Sequence, residues 1–254
     1  KKTGRASIDG RTFDIVDLPG TYSLAPRSPD EMVAVDVLLG RRKDTPPPDV
    51  VLCIVDASNL ERNLYLVSQA LELGLPVVLA LNMTDVATSR GMEINAGELS
   101  KRLHLPVVEL VAHKRRGIQE LKDAVAKAAE ATSPRHESPF SETFQQEIES
   151  LEAKIAATGT LWPRFLVERL LLDTGGYIES AGLPGETDEV LREVNAARQR
   201  LAEAGQPVPA VEAMARYTWV GAVLKDVVRR PKQRPVTFSD SLDRILTHRL
   251  WGTL

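Results

Sequence analysis

Three apolar runs constrain this chain more than anything else in it: Val50-Val51-Leu52-Cys53-Ile54-Val55, Pro76-Val77-Val78-Leu79-Ala80-Leu81, and Val107 to Val111. Each is short, rich in branched side chains and closed by a polar loop. A run without polar alternation is a strand buried on both faces, which is the habit of parallel sheets. Helical patterns lie between and after them. One follows Asp56-Ala57-Ser58-Asn59 and runs to about Leu73, ahead of Gly74. Others run from Asn95 to Leu103 and, after Gly117, from Ile118 to Ala131. Strands alternating with helices predict an α/β fold with a mostly parallel sheet and helices on both faces.

Ahead of these units, Asp9-Gly10 is a two-residue turn between Ala6-Ser7-Ile8 and Thr12-Phe13-Asp14-Ile15-Val16, so Arg5 to Val16 is expected to be a β-hairpin. Its second arm delivers Asp17 to a breaker, Leu18-Pro19-Gly20. Pro29-Asp30-Glu31 then opens a helix through Leu39, ahead of Gly40. After Ser133-Pro134 helical patterns dominate, over Ser141 to Ala157, Leu161 to Leu172, Thr187 to Ala204 and Val211 to Val228, separated by glycine-rich stretches. The expected organisation is an α/β domain over 1–133, an all-helical domain over 134–236 and a tail over 237–254. A basic cluster, Lys225, Arg229, Arg230, Lys232 and Arg234, precedes the amphipathic tail from Leu242 to Leu254.

Three polar segments fall at the carboxyl ends of strands, the edge where open α/β sheets bind ligands. They are Asp17-Leu18-Pro19-Gly20, Asn82-Met83-Thr84-Asp85 and Val111-Ala112-His113. A carboxylate at Asp17 can hold the water shell of a magnesium ion, which keeps several waters and shares substrate phosphates. Gly20 offers an unhindered backbone N–H to a terminal phosphate. Asp85 presents two acceptor oxygens that match the ring N–H and exocyclic amino group of guanine, a pair that adenine lacks. Asn82 can bond the base or brace neighbouring loops, and Met83 can lie along a base face. The Ala112 N–H, beside His113, is placed to donate to the guanine carbonyl oxygen. The ordered set predicts a site for GTP or GDP.

The net charge of −3 and a pI near 5.9 argue against a general nucleic-acid binder, so no nucleic-acid partner is expected. Cys53 is the only cysteine and lies inside an apolar run, which excludes a disulfide within the chain and fits a reducing compartment. No run approaches the roughly 20 apolar residues of a membrane helix.

The order Asp-x-x-Gly, Asn-x-x-Asp and an alanine-containing loop is similar to that of Ras-like GTPases. Val55-Asp56-Ala57-Ser58-Asn59-Leu60-Glu61-Arg62-Asn63-Leu64-Tyr65-Leu66, with Asp17-Leu18-Pro19-Gly20-Thr21-Tyr22-Ser23-Leu24, resembles the FeoB family of bacterial ferrous-iron transporters. The resemblance runs nearly the whole length, through the tail Leu242 to Leu254. It implies a Ras-like P-loop GTPase fold followed by a small helical domain that acts as a spacer or modulates nucleotide affinity. It also implies GTP and GDP as ligands, magnesium and potassium as cofactors, and a membrane-spanning iron-permease domain in the same polypeptide. The location implied is the cytoplasmic face of the bacterial inner membrane, where GTP binding and hydrolysis regulate or drive ferrous iron uptake. Association into a homo-oligomer is compatible with it.

Two departures bear on activity. Met83 stands where many small GTPases carry lysine, and Thr21 where many carry a water-orienting glutamine. Thr21 therefore marks the catalytic position without acting as a base, and slow turnover is expected. A larger departure is the absence of Gly-x-x-x-x-Gly-Lys-Ser/Thr, the loop that cradles phosphates. The resemblance places that loop and its strand upstream of Lys1, so these residues are expected to be part of a longer polypeptide and to handle GTP poorly alone. The sheet should then have a gap between the strand ending at Asp17 and the one ending at Asp56.

Two other readings compete: a soluble GTPase acting on ribosomes or RNA, which predicts a basic face, and a non-catalytic G-like interaction module. The pairs Glu149/Glu152 and Glu186/Glu189 have a spacing that could hold a cation on a helix face, but solvated acidic faces are the plainer expectation. His104, His113, His136 and His248 lack metal-ligand spacing. Trp162 and Trp219 are expected in core or interface, and Trp251 at a membrane surface.

Overall fold

The computed structural model describes residues 2–18, 23–25, 29–132, 136–180, 185 and 187–231. The chain opens as an antiparallel hairpin, β1 (Lys2–Ile8) and β2 (Arg11–Asp17), with Lys2 opposite Asp17 and Ile8 opposite Arg11. Asp9 and Gly10 both take positive φ, +49° and +78°, as a primed two-residue turn demands. Helix α1 (Pro29–Leu38) follows. Then β3 (Val51–Asp56) leads through a 3-10 turn, Ala57–Asn59, into α2 (Leu60–Leu71). Next come β4 (Val77–Asn82), a short α3 (Thr84–Ser89), β5 (Glu93–Ile94), α4 (Ala96–Leu103), β6 (Val107–Glu109) and α5 (Ile118–Ala128).

Strands β3, β4 and β6 form a parallel sheet in that order, with Asp56 level with Asn82 and Leu81 level with Glu109. On one face Val55, Val77, Leu79 and Leu81 pack with Leu64 and Val67 of α2 and Leu99 of α4. Val78 and Ala80 alternate to the opposite face and are fully buried there, where α5 runs against β4 and β6. Their neighbours on β3 behave differently: Leu52 is 40 % and Ile54 64 % exposed. Among the described residues, no strand joins the hairpin to this sheet. Helix α5 touches both, and Arg11 of the hairpin pairs with Glu130 just beyond α5.

The remaining helices are α6 (Glu142–Ala157), α7 (Arg164–Leu172), α8 (Tyr177–Ser180), α9 (Asp188–Glu203) and α10 (Val208–Leu224). Ser141 and Thr187 start α6 and α9 by accepting the N–H of Phe144 and Val190. Phe144, Ile148, Leu151, Leu170, Val194 and Leu201 share a helical core, which Val208 and Val211 of α10 also enter. The far end of α10, with Val220, Val223 and Leu224, packs instead into the core beneath the sheet. The pattern from Val211 to Val228 predicts a helix that runs past Leu224, whereas α10 starts at Val208 and stops there. Asp226 takes φ +61°, the chain reverses, and β7 (Val228–Arg229) pairs antiparallel with β5.

Where α2 meets α7 and α10 the contact is ionic and buried. Arg216, with no exposed side-chain surface, donates to both carboxylate oxygens of Glu72 at 2.9 and 2.7 Å, to Glu212 at 2.9 Å and to Ser68 at 2.9 Å. Arg169, 2 % exposed, lies 2.7 Å from Glu212. Such charges are tolerated only as a paired set, since removing one partner strands the other in a low-dielectric interior. A third cluster, Leu24, Val35, Leu38 and Phe165, with Leu18 against it, holds the chain that follows β2.

Candidate functional site

The polar loops after β4 and β6 meet at one corner of the sheet. Leu110 donates its N–H to the Leu81 carbonyl at 2.8 Å, extending the ladder past Glu109, and the Thr84 hydroxyl donates to the Leu110 carbonyl at 3.1 Å. Beyond Leu110 the chain makes a tight turn: Val111 bridges to Arg116 around a 3-10 turn, Ala112–Lys114, and Arg115 takes φ +56°. Gly117 closes it at φ +81°. A Cβ there would stand 2.1 Å from the Glu109 carbonyl oxygen, so only glycine lets this loop fold back on its own strand.

Within this corner the Asn82 carboxamide oxygen accepts the Ala112 N–H at 3.1 Å. Of the two roles open to Asn82, bracing the loops is the one seen, and the Ala112 N–H, expected to face a ligand carbonyl, is already engaged by that brace. Met83 takes φ +61° and is 39 % exposed. Asp85 sits one residue into α3. One of its oxygens accepts the Val86 N–H at 3.0 Å; the other lies 2.9 Å from Lys114 Nζ and 3.6 Å from His113 Nε2. The hydrogen bond from Lys114 is the main reason that the Asp85 carboxyl titrates below its usual range, with desolvation opposing it. The carboxylate thus stays ionised, acceptor-only and 28 % exposed, able to take two convergent N–H donors.

Lys114 is a candidate site residue that the sequence alone does not single out. Its only advance signal is a lysine two residues after Ala112, and the 3-10 turn is what brings it back to a carboxylate 29 positions earlier. Asn82, Met83, Asp85, Ala112 and His113 are brought together. Asp17 lies apart, exposed at the end of the hairpin, and Gly20 and Thr21 lie outside the described residues. At the end of β3, Asp56 accepts the Ser58 N–H at 2.7 Å, and Arg90 reaches Ser58 at 3.0 Å, tying α3 to this third strand end.

The model of a family described as Ferrous iron transport protein B matches residues 1–125. A mutant NFeoB from S. thermophilus, solved bound to GDP, is 31% identical with a TM-score of 0.70, covering 85% of this chain and 81% of that one. The chain belongs to the FeoB family. The cytosolic domain of L. pneumophila FeoB is likewise similar, with 29% identity and a TM-score of 0.73 over 90% of this chain and 85% of that one. The Fe(2+) transporter FeoB of Escherichia coli K12 is 34% identical over 99% of this chain. Against such curated FeoB relatives the chain spans about a third of their length, 37% of one and 32% of another. Its fold, a parallel sheet with helices on both faces, is that of the Ras-like P-loop GTPases.

Other expectations about this FeoB chain meet the structure as follows. Glu152 is occupied by an ion pair with Arg164 at 3.1 Å, Glu186 lies outside the described residues, and no group of three His, Cys, Asp or Glu among the described residues could hold a metal ion. Trp162 and Trp219 pack against the two main cores. Burial pushes the Cys53 thiol up to about 12, so it stays protonated at neutral pH. In the basic cluster Arg230 folds back to Glu61 of α2 at 3.1 Å and Arg229 lies in β7, while Lys232, Arg234 and the whole tail, with Trp251 and His248, lie outside the described residues. No helix among the described residues is long and apolar enough to cross a membrane.

Proposed function

We propose that this chain is the guanine-nucleotide-binding part of a ferrous-iron transporter, and that binding and slow hydrolysis of GTP at its sheet edge regulate or drive iron uptake. One observation carries the reading: an ionised Asp85, clamped by Lys114 and set beside the Asn82–Ala112 brace, presents paired acceptors where guanine offers paired donors. The bound GDP of the S. thermophilus relative supports it. Met83 supplies the apolar surface on which the base plane would rest.

Asp17 fits a magnesium site by its chemistry, as one exposed strand-end carboxylate, since that ion takes one or two carboxylates and completes its shell with water and phosphate oxygens. The ion would neutralise phosphate charge. Gly20 would then serve the terminal phosphate, Thr21 would mark the catalytic position without its side chain acting, backbone groups and bound ions would handle the attacking water, and potassium would add positive charge to the phosphates. The phosphate loop itself has no counterpart in these 254 residues. The lack of a ladder between β2 and β3 among the described residues, and the exposed Leu52 and Ile54, favour a further strand of the same polypeptide between them that carries it. The helical layer would act as the spacer or affinity modulator toward a membrane-spanning permease domain.

Calorimetric titration of the polypeptide bearing its phosphate loop, with GDP and with ADP in magnesium buffer, tests this. A strong preference for GDP is expected. Equal affinity would dismiss the guanine reading and favour the non-catalytic interaction module.

A further inference from the structure

Helix α10 turns its charges inward and its neutral side outward. It holds two charged residues, Glu212 and Arg216. Arg216 has no exposed side-chain surface and pairs with Glu72; Glu212, 14 % exposed, accepts from Gln69 of α2 at 2.9 Å and pairs with Arg169 of α7 at 2.7 Å. A surface helix normally carries its charges on the solvent side. The preceding helix, α9, does so with Asp188, Glu189, Arg192, Arg200 and Glu203. On α10 the outward stripe is Met214, Tyr217, Thr218, Gly221 and Ala222, spaced i, i+3, i+4, i+7 and i+8, and none of them is charged. Met214 is 67 % and Tyr217 57 % exposed, and the Tyr217 ring is held beside the stripe by Tyr65 of α2, 5.4 Å away between centroids. Gly221 points the same way on separate grounds. A glycine inside a helix destabilises it relative to alanine. Beyond the helix's own backbone, nothing among the described residues comes within 4 Å of where a Cβ would stand. Packing within the chain therefore gives no reason for glycine there, whereas close approach of another backbone does.

We propose that this face of α10 is a self-association surface, on which a second copy of the chain lays its own α10 antiparallel about a twofold axis at Thr218. Size selects the occupant. The bulky residues stand toward the start of the stripe and the small ones toward its end. In a twofold contact residue i of one copy meets residue j of the other and j meets i, so Met214 of each copy falls on Gly221 and Ala222 of its mate. Tyr217 then flanks Thr218 beside the axis. A parallel mate would set Met214 on Met214 and leave the hollow at Gly221 unfilled. Because the stripe has no charge, two identical faces meet without repulsion. An anionic membrane surface would instead call for lysine and arginine along the helix, and the stripe has neither.

Sedimentation velocity and a short bismaleimide cross-linker test this in the polypeptide bearing its phosphate loop, with the unsubstituted protein as the baseline for other thiols. The wild type should sediment as a monomer and dimer in a ratio that follows concentration. Thr218→Cys should cross-link to itself, and Met214→Cys to Ala222→Cys when the two are mixed. Met214→Cys alone should link far less, since across the twofold its two positions lie about 12 Å apart along the helix axis. Leu161→Cys, at an 88 % exposed position between α6 and α7, reports random collision. Gly221→Glu puts a charge where a Cβ meets nothing within the chain, so the unfolding midpoint should hold while self-association weakens about tenfold or more. A wild type that stays monomeric, cross-links at Thr218 no more frequent than at Leu161, or a dimer that Gly221→Glu leaves intact would each overturn the proposal. Self-linking of Met214→Cys as efficient as its linking to Ala222→Cys would overturn the antiparallel arrangement. Should Gly221→Glu lower the midpoint, the cross-linking pattern decides by itself.

Discussion

Glu168→Gln should change how stability depends on pH. Glu168 lies on α7 with a side chain 5 % exposed; one oxygen is 3.3 Å from Arg164, and the other is buried without a hydrogen-bond partner. It faces Glu72 and Ser68 from α2 and its end, Arg216 and Trp219 from α10, Arg169 from its own helix, and His136 and Glu137 across a cavity of about 280 Å³. Burial is the main cause that pushes the Glu168 carboxyl up, from 4.5 to about 7, with Glu72 adding to it and the three arginines opposing. A folded state that holds a proton the unfolded chain has released loses stability as pH rises. Below 4.5 both states are protonated; between 4.5 and about 7 the loss accumulates; above that it is constant. At about 1.4 kcal/mol per pH unit, the interval from 4.5 to about 7 amounts to roughly 3–4 kcal/mol. Glutamine keeps the shape of the neutral acid and cannot ionise. Urea unfolding of both proteins from pH 4.5 to 8 should therefore show the wild type losing ground to the variant over that window. A difference that stays constant with pH, or a wild type that gains, would refute the reasoning.

Two further outcomes follow from the sheet-edge corner. Gly117→Ala should cost about 2 kcal/mol or more, because the new Cβ meets a backbone oxygen at a φ of +81° that alanine resists, and an unchanged urea midpoint would show that the loop yields freely. Lys114→Gln should let the Asp85 carboxyl rise toward its ordinary range and make base binding weaken sooner on acidification; a carboxyl titration followed by NMR that is the same in both proteins would contradict the clamp.

Much of this was legible in the sequence because it depends on local pattern. Asp9-Gly10 demanded a primed turn, unbroken apolar runs demanded strands, of which β4 is buried on both faces while β3 keeps Leu52 and Ile54 exposed, and the helical patterns from Ser141 and Thr187 mark the helices that these residues cap. What depends on distant partners was not legible. The two-residue strands β5 and β7 are too short to carry a period, and the reversal at Asp226 that pairs them cut the last helix to Leu224. Arg216 and Gln69 looked like ordinary polar positions on amphipathic helices. Their burial is set by helices brought together from more than 140 positions apart. At the site, residue types named the chemistry, but the turn at Ala112–Lys114 decided that Asn82 braces the loop and that Lys114 charges it.

The central claim is that Asp85 reads guanine, and a base-swap titration tests it most directly. Asp85→Asn replaces one acceptor oxygen by a donor, which opposes the guanine amino group and suits the extra carbonyl of xanthine. With the polypeptide that bears its phosphate loop, GDP affinity should fall by a factor corresponding to about 1.5–3 kcal/mol, and xanthosine diphosphate affinity should rise in the same variant. Unchanged GDP affinity in Asp85→Asn, with no gain for the xanthosine nucleotide, would contradict the account.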